Sequence, residues 1–160
     1  MSQYATDKFV NVRRSVMNYL NGAALGARLI DALDPRQSTD IGGAFVRVSL
    51  SEGPAVPAGP GASTRAGTTL RSIMVSCECY TPDITDGQPT AMDAAIALAD
   101  ATSAALYRHD IQIMDYAGIG TATGAYLQFH RPSIRPEMPS IKGWFRAALR
   151  IQANWFAEQT

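Results

Sequence analysis

Residues 144–156 read WFRAALRIQANWF. Phe145, Ala147, Leu149, Ile151, Ala153 and Trp155 take every second position, with Arg146, Arg150, Gln152 and Asn154 between them. Two is the period of a β-strand; a helix would scatter these apolar side chains around its circumference. The stretch therefore predicts a strand with one apolar and one polar face. Such a strand suits a sheet covered on one side only, as antiparallel and mixed sheets commonly are.

Two more stretches share the alternation. Residues 43–50, GAFVRVSL, put Ala44, Val46, Val48 and Leu50 on one face. Residues 69–80, TLRSIMVSCECY, set Ile73, Val75, Cys77 and Cys79 against Ser72, Ser76 and Glu78. Shorter strands are predicted over IQIMDY (111–116) and AYLQFH (125–130). Helical spacing replaces the alternation twice. Phe9, Val12, Val16 and Leu20 form a stripe in a helix over about 7–21, with Thr6 as its cap and Asn21-Gly22 as its stop. Thr90 and Asp93 open an alanine-rich helix to about Tyr107, with Met92, Ala95, Ile96, Ala99, Leu106 and Tyr107 inward. AALGARLIDAL (23–33) reads as a short helix or a partly straightened piece. The fold class predicted is α+β: two layers, a mostly antiparallel or mixed sheet of about five strands, and helices on one face.

Three stretches resist packing. Residues 51–68, SEGPAVPAGPGASTRAGT, hold Pro54, Pro57 and Pro60 among glycines and small residues. A loop of this length is uncommon inside a compact domain and is usually functional or disordered. Residues 81–89, TPDITDGQP, are turn chemistry. Residues 131–143, with Pro132, Pro136 and Pro139, predict a second irregular loop. The 160 residues favour one domain spanning 1–160, and an apolar fraction of 46% permits a real core.

Fourteen basic and fourteen acidic residues give a formal net charge of zero, unlike a dedicated nucleic-acid or membrane-surface protein. No apolar run has the roughly eighteen residues of a membrane span, and MSQYATDKF has no signal-peptide plan. Cys77 and Cys79 point to the same side of one strand, so they read as small reduced hydrophobes rather than a disulfide. With only His109 and His130 as imidazoles, no metal set is legible. The loop GIGTATG (118–124) misses the GxGxxG spacing by one residue, so its glycines read as turn glycines. No nucleophile, acid–base pair or cofactor motif emerges. The expectation is a protein that is not an enzyme.

Charge is segregated instead. Residues 76–100 carry Glu78, Asp83, Asp86, Asp93 and Asp100 and no Lys or Arg, whereas 131–150 carry Arg131, Arg135, Lys142, Arg146 and Arg150 against Glu137. These poles either meet within one copy, are simply solvated, or suit head-to-tail contact between copies.

The organisation resembles the tail terminator proteins of long-tailed bacteriophages, over about residues 5–157. The resemblance rests on FVNVRRSVMNYL, on RVSLSEGP entering the long loop, on TLRSIMVSCECYTP, on the helix AMDAAIALADATSAALY and on the final amphipathic strand. It implies a structural role without chemistry or cofactors. Such proteins form a homohexameric ring on the last ring of tail-tube protein, end tail polymerisation and present a surface to the head-side connector. The resemblance places the protein at the neck of the virion tail after assembly in the host cytoplasm. Its partners would be itself, the tail-tube protein and the head-closure protein, with no membrane and no specific nucleic acid, though genome DNA passes through such a ring. Pro54, Pro57, Pro60, Arg65, Asp83, Asp86, Asp93, Arg131, Arg135 and Lys142 are the candidate subunit-interface residues. Two alternatives stand beside it. One is a head-closure or tail-completion protein of similar size. The other is a small ligand-binding or enzymatic α+β domain with residues 115–124 as a lid over an apolar pocket.

Overall fold

The structure, a computed structural model, describes residues 5–33, 43–53, 64–65, 68–82, 89–108, 110–118, 120–137 and 143–158. Helix α1 (Phe9–Gly22) follows a 3-10 turn at Ala5–Asp7. Strands β1 (Arg28–Asp31), β2 (Phe45–Glu52), β3 (Thr64–Arg65) and β4 (Thr68–Pro82) precede helix α2 (Pro89–Leu106). Strands β5 (Gln112–Asp115), β6 (Thr121–Tyr126), β7 (Gln128–Phe129), β8 (Ser133–Glu137) and β9 (Trp144–Glu158) complete the described elements. The fold is α+β, with a mixed sheet as expected.

The main sheet holds seven of these strands, two more than the sequence suggests. Its spine is β1-β2-β4-β9-β7, with β3 added to β4 and β8 to β9. Strands β4 and β9 run antiparallel in one unbroken register from Thr68↔Glu158 to Pro82↔Trp144. Their alternation places Ile73, Val75, Cys77 and Cys79 beside Ala153, Ile151, Leu149 and Ala147 on one face, all buried. Val46, Val48 and Leu50 of β2 extend that face. Burying each large aliphatic here contributes about 1.5–3 kcal/mol.

Both helices lie on this inner face. Val12, Val16 and Leu20 of α1 and Ala95, Leu98, Ala99 and Leu106 of α2 join the strands in one core. Position along α1 is fixed by an ion pair from Arg13 to Asp31 of β1. Alanine at 95 and 99 lets α2 sit close to the sheet, where the Thr102 hydroxyl is 4.0 Å from Cys79 Sγ.

Several boundaries depart from the sequence reading, each for a packing reason. Of the two readings of residues 23–33, the straightened one holds and the helix does not. Gly26 takes φ +71°, and Arg28–Asp31 then pair parallel to β2 at the sheet edge. Thr6 does not cap α1: Lys8 holds the N-cap position without a side-chain cap. Thr6 is instead buried, and its carbonyl accepts the indole N–H of Trp155 at 2.8 Å. A buried indole requires such a partner. Tyr107 is 51% exposed rather than inward, because α2 ends at Leu106. GIGTATG is not wholly a loop, since Thr121–Tyr126 pair with β5 in a separate two-stranded sheet, with Gly124 at φ +81° where the register shifts. The predicted loop 131–143 contains β8, an edge strand along β9 that tolerates Pro136 because one of its sides carries no ladder. Loop 51–68 is shortened at both ends by β2 and by the β3–β4 pairing Thr64↔Thr69 and Arg65↔Thr68. Likewise Thr81 and Pro82 belong to β4 and Pro89 to α2, leaving 83–88 outside the described residues.

The β5–β6 hairpin is held to α1 by side chains that periodicity does not reveal. Ser15 Oγ accepts the Met114 N–H at 2.9 Å, and Asn11 Oδ1 accepts the Tyr116 N–H at 3.0 Å. Asn11 and Ser15 are both buried, one helical turn apart, and face the edge of β5. They satisfy amide donors that a two-stranded sheet leaves open.

Candidate functional site

The even-numbered side chains of β4 and β9 point away from the helices and form the outer face of the main sheet. The β-ladders fix what stands beside what. Arg47 of β2 pairs with Glu78 of β4, Tyr80 of β4 with Arg146 of β9, and Arg146 with Glu137 of β8. Side-chain contacts follow the same path. Arg47 Nη1 lies 3.9 Å from Glu78 Oε2, which accepts the Tyr80 hydroxyl at 3.1 Å. Arg146 donates to the Tyr80 oxygen at 3.4 Å and bridges to Glu137 at 3.0 Å. Glu137 also meets Arg135 at 3.2 Å. Hydrogen bonding to Tyr80, then the nearby Glu137 and Glu78, hold the Arg146 guanidinium above its ordinary value.

This polar ladder crosses four strands. Arg28 and Arg150 stand on the same face by register, so Arg28, Arg47, Arg135, Arg146 and Arg150 share its central part with Glu78 and Glu137. The surplus is three positive charges, spread among Ser49, Ser76, Gln152 and Asn154. At one end the polar character gives way to Ile30, Phe45 and Tyr80, with Trp144 packed against them. Phe45 stacks on Tyr80 at 4.7 Å and meets Trp144 edge-on at 5.3 Å.

The expected interface residues are distributed as follows. Arg135 lies on this face, and its side chain is 77% exposed. Arg131 is exposed just before β8. Asp93 is exposed on α2, on the other side of the molecule, so the helix layer separates it from the sheet's outer face. Among the described residues no ion pair joins Asp93 to Arg131 or Arg135. Arg65 lies in β3. Pro54, Pro57, Pro60, Asp83, Asp86 and Lys142 lie outside the described residues, as does His109. The acidic run of the sequence is therefore divided in space: Glu78 belongs to the outer sheet face, whereas Asp93 and Asp100 belong to the outward side of α2.

Other places that could hold chemistry are modest. A cleft of about 540 Å³ opens between the C-terminal ends of α1 and α2, lined by Asn18, Tyr19, Gly22, Ala23, Ala105 and Arg108. None of these residues belongs to 115–124, the segment expected to act as a lid. Arg108 is committed at the rim to Asp110, at 2.7 and 2.9 Å, and to the Tyr19 hydroxyl at 3.1 Å. Among the described residues no three His, Cys, Asp or Glu side chains come together as a metal set. Cys77 and Cys79 are free and buried. Burial pushes the Cys79 thiol up to about 12, against a smaller opposing effect of Thr102. Burial, then the neighbouring Cys79, pushes Cys77 up as well.

No protein-family model matches this sequence, and no curated protein matches it. Among solved structures, one chain is similar over 96% of this chain and 98% of its own, at 11% identity and a TM-score of 0.48. Another, from the virion of a native gene transfer agent particle, is similar over 91% of this chain and 95% of its own, at 18% identity and a TM-score of 0.44. Likenesses this distant carry no functional argument, which rests on the chain's own surface.

Proposed function

We propose that this protein is a structural component of a phage-like virion, acting as a tail terminator. It would form a ring, cap the tail tube, end tail polymerisation and offer a surface to the head-side connector. The observation that carries this reading is the outer face of the sheet, on which neither described helix packs. Such a face is normally polar and plain. This one organises Arg47, Glu78, Tyr80, Arg146 and Glu137 into a ladder across four strands and retains a positive surplus. Isolated surface pairs contribute little to folding, about 0–1 kcal/mol each. An extended patterned face is better suited to orienting a partner, where charge complementarity sets register and specificity. The element order adds support. A helix, a strand running into the 51–68 segment, a long central strand, an alanine-rich helix and a long final strand follow the order on which the sequence resemblance rests.

The test is tube growth. Purified protein is added to polymerising tail-tube protein, and tube lengths are measured by negative-stain electron microscopy. A terminator shortens the length distribution and leaves a ring at one tube end. Tubes that grow to their untreated lengths with bare ends overturn the proposal. Binding only to DNA-filled heads would reassign the protein to head closure.

A further inference from the structure

The outward side of α2 is chemically the complement of the outer sheet face. Asp93, Ala94, Ala97, Asp100, Ala101 and Ala104 are its exposed positions. The helix carries no Lys or Arg from Pro89 to Leu106. Its two carboxylates are seven residues apart, about 10 Å along a helix axis. The alanines beside them keep that side low, so a flat surface could approach the backbone closely.

On the sheet, Arg135 stands opposite Ala148 across the β8–β9 ladder, and Arg150 is the next residue on the same face of β9. A diagonal pair of this kind is separated by about 7–8 Å. Long arginine stems cover the small mismatch with the two carboxylates. Arg150 is exposed and makes no ion pair among the described residues. Among the described residues Arg135 forms an ion pair with Glu137 alone.

We propose that the outer face of the sheet docks on the outward side of α2 in a second copy of this chain, Arg135 and Arg150 of one copy meeting Asp93 and Asp100 of the next. This rests on the ring reading and specifies its contact. The two surfaces lie on opposite sides of one molecule, because α2 packs on the inner face through Ala95, Ala99 and Thr102. A contact between unlike patches is head-to-tail and propagates, closing into a ring when each step carries the right rotation. In the contact, α2 would cover the outer side of a neighbour's sheet much as it covers the inner side of its own. A second copy fits better than a nucleic acid. The face interleaves Glu78 and Glu137 with its arginines, and those carboxylates would repel a phosphate backbone.

The full chain is examined by sedimentation velocity across protein and salt concentration. Wild type is expected to associate, and to do so more weakly as sodium chloride rises. R135E/R150E and D93R/D100R each face like charge with like and should associate roughly tenfold more weakly or worse. Mixing the two doubles should restore assembly, because each supplies what the other lacks, and the quadruple variant should assemble alone. All four sites are exposed, and unchanged circular-dichroism melts confirm that the variants fold. Wild-type rings that persist in R135E/R150E overturn the docking face while leaving the ring. A mixture that stays as separate as its components also overturns it. A monomeric wild type that still shortens tail tubes overturns the docking and spares the capping function. A monomeric wild type held on duplex DNA through Arg135 and Arg150 overturns it in favour of a nucleic-acid face.

Discussion

Cys77 and Cys79 sit two residues apart on β4 and face the same core, which separates proximity from reactivity. A thiolate is the reactive form, and burial opposes it. Alkylation of native protein by iodoacetamide at pH 8 should therefore be slow and should accelerate only on unfolding. Rapid labelling of either thiol in the folded protein would place it outside the core. A pH effect follows with a definite sign. Unfolded thiols ionise near the ordinary value of 9.0, whereas folded Cys79 keeps its proton to about 12. The folded value is raised, so the contribution to stability is full below about pH 9 and is lost as pH climbs through this window. Each thiol adds a slope of up to about 1.4 kcal/mol per pH unit. C77A/C79A should unfold with a shallower alkaline loss between pH 9 and 11, as read from urea midpoints. Asn11 makes a second residue-scale case. Its side chain accepts from Tyr116 N–H and donates to the Ala5 carbonyl, both at 3.0 Å. Asn11→Ala strands both groups and should cost about 1–3 kcal/mol. A change within about 0.5 kcal/mol would mean water replaces it without loss.

At the scale of elements, the long strands were legible because a two-residue period survives any tertiary context. Phe145 to Trp155 and Ile73 to Cys79 face the core as their alternation requires. Leu149→Ala should cost about 2–5 kcal/mol. Arg150→Ala, on the outer face of the same strand, should stay within about 0.5 kcal/mol. Equal losses at both positions would show that this part of the sheet is covered on both sides in the monomer. Short strands were less legible. Three prolines concealed β8, whose pairing is supplied by β9 rather than by its own propensity. TATG of β6 has no apolar alternation, and its pairing with β5, Met114↔Ala122 and Asp115↔Thr121, makes it a strand. Leu29 and Ile30 read as helix or strand alike until Gly26 turns the chain beside β2. The outer-face ladder was half visible. Alternation put Glu78 and Arg146 on polar faces, but which residues touch depends on register between strands far apart in sequence. The buried pair Asn11 and Ser15 gave no signal, since polar residues at helical spacing ordinarily mark the solvent side.

For the whole molecule, the 51–68 segment bears on both folding and assembly. Gly53 is fastened where the segment begins: its N–H donates to the Ser72 carbonyl at 3.0 Å, and an added Cβ would come within 2.5 Å of Ser72 Oγ. At the other end, β3 pairs with β4. The sheet is thus complete on either side of residues 54–63, whose Pro, Gly and Ala composition offers little apolar surface for a core. Deleting residues 55–62 should therefore leave folding nearly intact, because each halving of loop length changes closure entropy by only about 0.6 kcal/mol. Function should respond differently if the segment serves contacts between subunits. Ordering such a segment on a partner carries an entropic cost at the moment of contact, and removing it removes the contact as well. The deleted protein should match wild type in its urea midpoint to within about 1 kcal/mol, yet fail to shorten growing tail tubes. Two outcomes would redirect this account. Loss of cooperative unfolding would make the segment part of the core. Undiminished capping would leave the ring to the strand and helix faces alone, and the charge-reversal series on Arg135, Arg150, Asp93 and Asp100 would then be the measure of how copies meet.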